Sequence, residues 1–124
     1  MSIQFPDPND PECRVISSVL ARVGDKWSIL IVVLLAQGSK RFSDIKRSVG
    51  GISQRMLTLT LRGLERDGLV NRKEVSTLPL RVDYKLTPLG HSLGEAVEPL
   101  ATWAQNHLRQ ISKARDKFDA RADQ

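Results

Sequence analysis

One cysteine in 124 residues excludes an internal disulfide framework, and a lone Cys13 suits a reducing compartment. Long apolar runs are missing as well. The longest, Ile29-Leu30-Ile31-Val32-Val33-Leu34-Leu35-Ala36, falls far short of the roughly 20 residues that a membrane span needs. The first ten residues are polar, carry Pro6 and Pro8, and lack the apolar stretch of a secretion signal, so the expectation is a soluble cytoplasmic protein. Histidine is scarce: His91 and His107 stand sixteen residues apart with no cysteine partner or carboxylate cluster, which argues against a metal site. There is no glycine-rich nucleotide loop and no Ser/His/Asp arrangement that spacing alone supports. Neither a cofactor nor a catalytic centre is expected. Internal repeats and low-complexity segments are absent from the sequence too.

What the chain does have is positive charge in one place. Lys and Arg number 19 against 14 Asp and Glu, a net charge of +5. Residues 40–85 alone hold 11 basic and 5 acidic residues, which leaves −1 for everything else. A basic middle between near-neutral ends points to an anionic partner at the middle, with a merely solvated basic surface as the alternative that charge leaves open. The length fits one small domain plus an appendage, and the 40% apolar share is that of a globular chain.

Along the chain, residues 1–10 read as a loose arm. Asp10-Pro11-Glu12 is a helix start, with a capping Asp, Pro at the first position and an acid facing the positive helix end. The first helix is expected over residues 11–23, with Val15, Val19, Leu20 and Val23 as its apolar stripe. Residues 26–37 are almost wholly apolar after Trp27-Ser28 and predict a buried helix, capped by Asp25 and closed by Gly38. Lys40-Arg41-Phe42 is extended. Ser43 is placed to cap a short helix over 44–49 with Ile45 and Val49 inward, and Gly50-Gly51 supplies a turn. Ser53 caps a second helix to Asp67 that Gly68 closes, with Leu69 packing back on Leu64. Residues 70–75 and 81–86 form a β-hairpin with Pro79 at its tip. Thr87-Pro88 opens an amphipathic helix running from Leu89 to Phe118, which Pro99 should kink and whose charged tail should fray from Ala114. The order of short helix, tight turn, capped helix and hairpin is that of a helix-turn-helix followed by a wing. The fold class expected is therefore mainly α with a small β-hairpin wing. Its divisions are an arm at 1–10, a winged helix-turn-helix domain at 11–90 and a C-terminal helix at 88–124.

Leu57, Leu61 and Leu64 lie within about 60° of one another on the Ser53 helix and mark its core side. Measured from Leu57, residues Arg55, Thr58, Leu59, Arg62 and Arg66 fall between about 100° and 200°, on the opposite side. Gln54 stands at the helix start, where a recognition helix reaches furthest into the major groove. Arg can donate a bidentate pair to guanine and Gln to adenine, and Thr or Leu can touch the thymine methyl. An exposed Leu59 between arginines suits a groove contact, against plain solvent exposure as the bland alternative. Ser43, Lys46 and Arg47, with Lys40 and Arg41, are placed to face phosphates, which position without reading sequence. Thr77 and Arg81, on the wing, can lie along the backbone or enter the minor groove; Arg81 can instead pair with Asp83 or Glu74.

The runs Gly24-Asp25-Lys26-Trp27, Lys40-Arg41-Phe42-Ser43-Asp44-Ile45, Gly51-Ile52-Ser53-Gln54-Arg55-Met56-Leu57, Leu61-Arg62-Gly63-Leu64-Glu65-Arg66-Asp67-Gly68-Leu69-Val70 and Arg81-Val82-Asp83-Tyr84-Lys85-Leu86-Thr87-Pro88-Leu89-Gly90 resemble the HxlR family. These are bacterial winged helix-turn-helix regulators related to the MarR type, and the match extends over residues 13–103. The resemblance implies a homodimer paired through its first and last helices, bound to a palindromic double-stranded DNA operator on the nucleoid, more often a repressor than an activator, and without enzymatic activity. The pairing residues would be Val15 and Val19 on the first helix and Leu93, Val97, Leu100, Trp103, Ala104, Leu108 and Ile111 on the last. Leu59 departs from the pattern, where a polar residue, commonly Gln, is expected; this bears on the operator sequence and not on the fold. Many members that this chain resembles carry a cysteine at the start of the first helix, and in some it senses an electrophile, oxidant or quinone. Cys13 is the matching position. The helix start and Arg14 favour negative charge there, Asp10 and Glu12 oppose it, and a small packing residue is the alternative. The rival to the whole reading is a winged-helix interaction module that pairs through its long helix and binds no specific DNA.

Overall fold

The computed structural model describes residues 9–75 and 79–122, and within them the chain divides into two compact units, Met1–Gly94 and Glu95–Gln124. In the first unit α1 spans Pro11–Gly24, α2 Lys26–Leu35, β1 Lys40–Arg41, α3 Phe42–Ser48, α4 Gln54–Arg66, β2 Val70–Val75 and β3 Arg81–Leu86. Helix α5, Pro88–Asn106, starts in this unit and continues into the second, which α6, Leu108–Ala122, completes.

Caps fix where the helices begin. The Asp10 carboxylate accepts from the Glu12 backbone N–H, and Pro11 opens α1. Asp25 accepts from the backbone of Trp27 and from the Ser28 hydroxyl at 2.6 Å, so the fully buried Ser28 is satisfied as α2 starts. Ser53 accepts from the Met56 backbone to start α4. At its other end Leu69 N–H donates to the Leu64 carbonyl and Gly68 N–H to that of Glu65, each at 3.0 Å. Gly68 there has φ +76°, a left-handed backbone that closes a helix readily only with glycine.

The helices enclose a core of Ile31, Val32 and Leu35 from α2, Ile45 from α3, Leu57, Leu61 and Leu64 from α4, and Val70, Tyr84 and Leu86 from the sheet. Val49, Ile52 and Leu69 complete it, with Trp27, Phe42 and Leu93 packed on its edge.

Four expectations need correction. The sheet has three strands in the order β1-β3-β2, because Lys40 and Arg41 pair antiparallel with Tyr84 and Asp83 on the open edge of the hairpin. Ser43 caps nothing: α3 starts two residues earlier than expected, at Phe42, with Arg41 as a cap that makes no side-chain hydrogen bond. The long C-terminal helix breaks at His107, while Pro99 stays inside α5. There the His107 ring nitrogen and backbone N–H both converge on the Trp103 carbonyl, at 2.7 and 3.1 Å, and the two rings stack. Helical backbone also continues past Ala114 to Ala122, with Arg115 and Asp119 four residues apart, as a favourable ion-pair spacing requires.

Two apolar surfaces remain open. Helix α1 buries none of its residues, and Val15, Ile16, Val19 and Leu20 are exposed. Helix α2, expected to be a buried helix, exposes Leu30 and Val33. In the second unit Leu100, Trp103, Leu108 and Phe118 are exposed, Ala104 is exposed and Ile111 half-buried. Of the residues read as pairing, Leu93 is half-buried against the core and Val97 is buried in the single chain.

Candidate nucleic-acid interface

Helix α4 is held by its leucines and presents its charged side outward. Leu57, Leu61 and Leu64 are at most 1% exposed, and Thr60 beside them turns its hydroxyl back to the Met56 carbonyl. With that side fixed, Gln54, Arg55, Thr58, Leu59, Arg62 and Arg66 all stand exposed. Leu59 is 52% exposed among these arginines, and Met56 on the same helix is exposed as well. The Thr58 hydroxyl donates to the Gln54 carbonyl, which leaves its methyl group to face outward chemistry. Ser53 sits at the helix start with its side chain committed to the cap.

Ion pairing divides the arginines into two sets. Arg22 pairs with Asp67, Arg47 with Asp44, Arg72 with Glu74 and Arg81 with Asp83. Arg55, Arg62 and Arg66 make no ion pair among the described residues, although Glu65 stands only three residues after Arg62, and neither do Arg14, Arg41, Arg109, Arg115 and Arg121; in the first unit only α4 gathers three of them on one helix. A helix face carrying three unpaired guanidinium groups is chemically prepared for an anion.

Around it, Ser43, Lys46 and Arg47 lie exposed on α3. The Arg47–Asp44 pair is solvent-exposed and of the kind that contributes little, so it leaves Arg47 open to exchange its partner. On the wing, a hydrogen bond with Tyr84 and then the Glu74 carboxylate hold the Arg72 guanidinium above its ordinary range. A cleft between α4 and the sheet is lined by Thr58, Arg62, Glu65, Arg72 and Tyr84, which brings the wing's Arg72 beside the recognition face. The sequence places Arg72, with Lys73, on the first strand of the wing, but not beside α4, because that approach depends on the turn at Gly68. Arg81 is held against Asp83: its Nη2 donates at 3.2 Å, while its buried Nε lies equally near but out of line for a hydrogen bond. That is the structural alternative its spacing offered. Ser43 and Arg81 line another cleft together with Arg41 and Leu80. Thr77 lies outside the described residues. Cys13 is half-buried in the first turn of α1, its sulfur 3.9 Å from the Ser17 hydroxyl. No group of three His, Cys, Asp or Glu side chains able to hold a metal occurs among the described residues, and none of their helices is long and apolar enough to cross a membrane.

A family model described as HxlR-like helix-turn-helix matches residues 22–112. An uncharacterized HTH-type transcriptional regulator of Escherichia coli K12, YtfH, is 42% identical over 99 residues, which cover 80% of this chain and 79% of that relative. Among solved structures, the redox regulator HypR in its reduced form is 33% identical with a TM-score of 0.74, covering 80% of this chain and 98% of that one. The reduced form of the transcriptional regulator YodB of B. subtilis is 33% identical with a TM-score of 0.66, over 77% and 90% of the two chains.

Proposed function

The chain belongs to the HxlR-like helix-turn-helix family of transcriptional regulators, and we propose that it acts as a homodimeric repressor that reads a palindromic operator through α4. The observation that supports this reading is the gathering of three exposed arginines, Arg55, Arg62 and Arg66, on one face of α4 opposite its buried leucines, with no ion pair among the described residues. Gln54, Arg55, Thr58, Leu59 and Arg62 contact base edges in the major groove, and Arg66 reaches the groove wall. Lys46, Arg47 and Ser43 face phosphates, joined by Arg72 from the wing. Arg81, occupied by Asp83, braces the wing instead of contacting DNA.

Two copies pair through Val15 and Val19 of α1 and through Leu100, Trp103, Ala104 and Leu108 of the C-terminal segment, all of which are exposed in the single chain. The pairing holds the two α4 helices about 34 Å apart, one turn of duplex. Cys13 is the point at which an oxidant or electrophile acts: it is the chain's single thiol, it stands in the first turn of an exposed helix, and the similar protein HypR is a redox regulator. No catalytic role is proposed.

A gel shift on the promoter beside the protein's own gene tests the reading. Sequence-dependent binding by a dimer is the expected result. An intact dimer that binds weakly and indifferently to sequence would establish the rival, a winged-helix interaction module.

A further inference from the structure

Helix α1 is the most exposed helix of the first unit, yet one of its side chains reaches α4. Arg22, in the last turn of α1, donates from Nε to Oδ2 of Asp67 at 2.7 Å, and both side chains are largely shielded from water. Asp67 is the C-cap of α4. The guanidinium lies directly over Gly63: a Cβ built at that glycine would stand 2.4 Å from Nη2, 2.7 Å from Nη1 and 2.8 Å from Cζ of Arg22. Glycine is a poor choice for the interior of a helix and calls for a reason when it occurs there. Here the reason is the room its bare Cα leaves for a flat cation.

Arg22 therefore grips α4 at two points one turn apart, on the helix backbone at Gly63 and on the cap at Asp67. The residues interleaved with these points, Arg62 and Arg66, are the unpaired arginines of the outer face. We propose that Arg22 is a positioning residue for base readout: its clasp over Gly63 and onto Asp67 fixes the roll of α4 against α1 and thereby the angle at which Arg62 and Arg66 enter the groove. Readout through bidentate hydrogen bonds tolerates only a small error in that angle, so a grip remote from the bases controls specificity. The clasp also joins the helix that carries Cys13 to the helix that reads DNA. The inference rests on the DNA-binding reading of α4.

The test uses the whole protein and a duplex selected by the wild type from a randomised library, with a scrambled duplex of equal length as the non-specific partner. Affinities for both are measured for the wild type, Arg22→Ala, Gly63→Ala and the double variant, each first shown to be folded by circular dichroism. Gly63→Ala keeps the helix, since the flexible end of Arg22 is what must move away. In both single variants the ratio of specific to non-specific affinity should fall about tenfold, comparable to losing one base contact, with non-specific binding retained. The double variant should be no worse than either, because both changes remove the same clasp. An unchanged ratio in the folded single variants would overturn the proposal, as would an equal loss of affinity for both duplexes, which is the mark of a purely structural role. A wild type that selects no sequence would defeat the DNA-binding reading itself, and the proposal with it.

Discussion

Gly90→Ala should destabilise the protein while Gly94→Ala, one helical turn further along α5, should not. The Thr87 backbone N–H donates to the Leu69 carbonyl at 3.0 Å, and the Thr87 hydroxyl donates to the Gly68 carbonyl at 2.6 Å while accepting from Gly90. The start of α5 is thus bonded to the turn that closes α4. Gly90 faces the same carbonyl, and a Cβ there would lie 2.1 Å from the Leu69 oxygen and 3.0 Å from Cδ2 of Leu86. A carbon–oxygen contact normally needs about 3.3 Å, so α5 and the Leu69 backbone would have to part by about 1 Å. Unlike an arginine tip, that backbone cannot swing aside, being tied to Thr87 on one side and to Leu64 on the other. Overpacking costs about 1–3 kcal/mol. Loss of the Thr87–Leu69 hydrogen bond costs about 1 kcal/mol more. Alanine in place of a helical glycine returns about 1 kcal/mol, for a net loss of about 1–3 kcal/mol. At Gly94 the nearest foreign atom, Cγ1 of Val32, is an ordinary 3.7 Å from the built Cβ, so the helix-propensity gain stands alone. Thermal unfolding followed by circular dichroism should separate the two variants by about 2–4 kcal/mol, on the order of 10 °C for a chain this size. A Gly90→Ala variant as stable as Gly94→Ala would refute the close approach and the docking of α5 that depends on it.

On the DNA face, Arg62→Ala should relax base preference at a cost of about 1–3 kcal/mol, whereas Lys46→Ala should mainly lower the salt dependence of binding by about one ion. Identical effects of both changes on every sequence would sink that division of roles. Ser53→Ala should lower stability by about 1 kcal/mol in urea titration through loss of the α4 cap, and an unchanged midpoint would mean the cap contributes nothing. Diamide should alter the operator affinity of the wild type and leave that of Cys13→Ser untouched; a Cys13→Ser variant that responds as strongly removes Cys13 as the sensor.

The features legible in the sequence were those set by neighbours a few residues apart. Asp10, Asp25, Ser53 and Thr87 announce helix starts because a cap acts within three residues, and each of them does accept the backbone bond. The core side of α4 follows from helical spacing alone, and so the outer face does too. The third strand was hidden because two residues are too few to show alternation, and Lys40 and Arg41 are extended by pairing with a strand more than forty residues away. Ser43 misled for a related reason: a hydroxyl before an acid looks like a cap, but β1 ends at Arg41 and the chain enters the helix two residues sooner. The solid apolar run of α2 suggested a buried helix, whereas a single chain covers only the side of Ile31, Val32 and Leu35. The Arg22 clasp was beyond any local reading, since its parts are separated by 45 residues and its one sequence trace is a glycine in a helix.

The gathering of unpaired arginines on one face of α4 also weighs against the interaction-module rival. A basic helix that merely keeps a protein soluble gains from pairing its arginines with nearby carboxylates, and this chain does so at Arg47, Arg72 and Arg81. On α4 it does not, even where Glu65 is within reach of Arg62 along the helix, nor does it on α6 at Arg109, Arg115 and Arg121, but on α4 the three arginines share one exposed face. A protein partner covering that face would bury three uncompensated cations, a cost of several kcal/mol for each unless the partner brought acids to match. A duplex brings phosphates and guanine acceptors to such a face without special provision, and releases counterions in doing so. A surface suited to a protein partner lies elsewhere, on α1, where the apolar side chains of Val15, Val19 and Leu20 are exposed. The exposed apolar side chains of α1 and the exposed arginine face of α4 thus suit different partners, a protein surface for the first and an anionic duplex for the second.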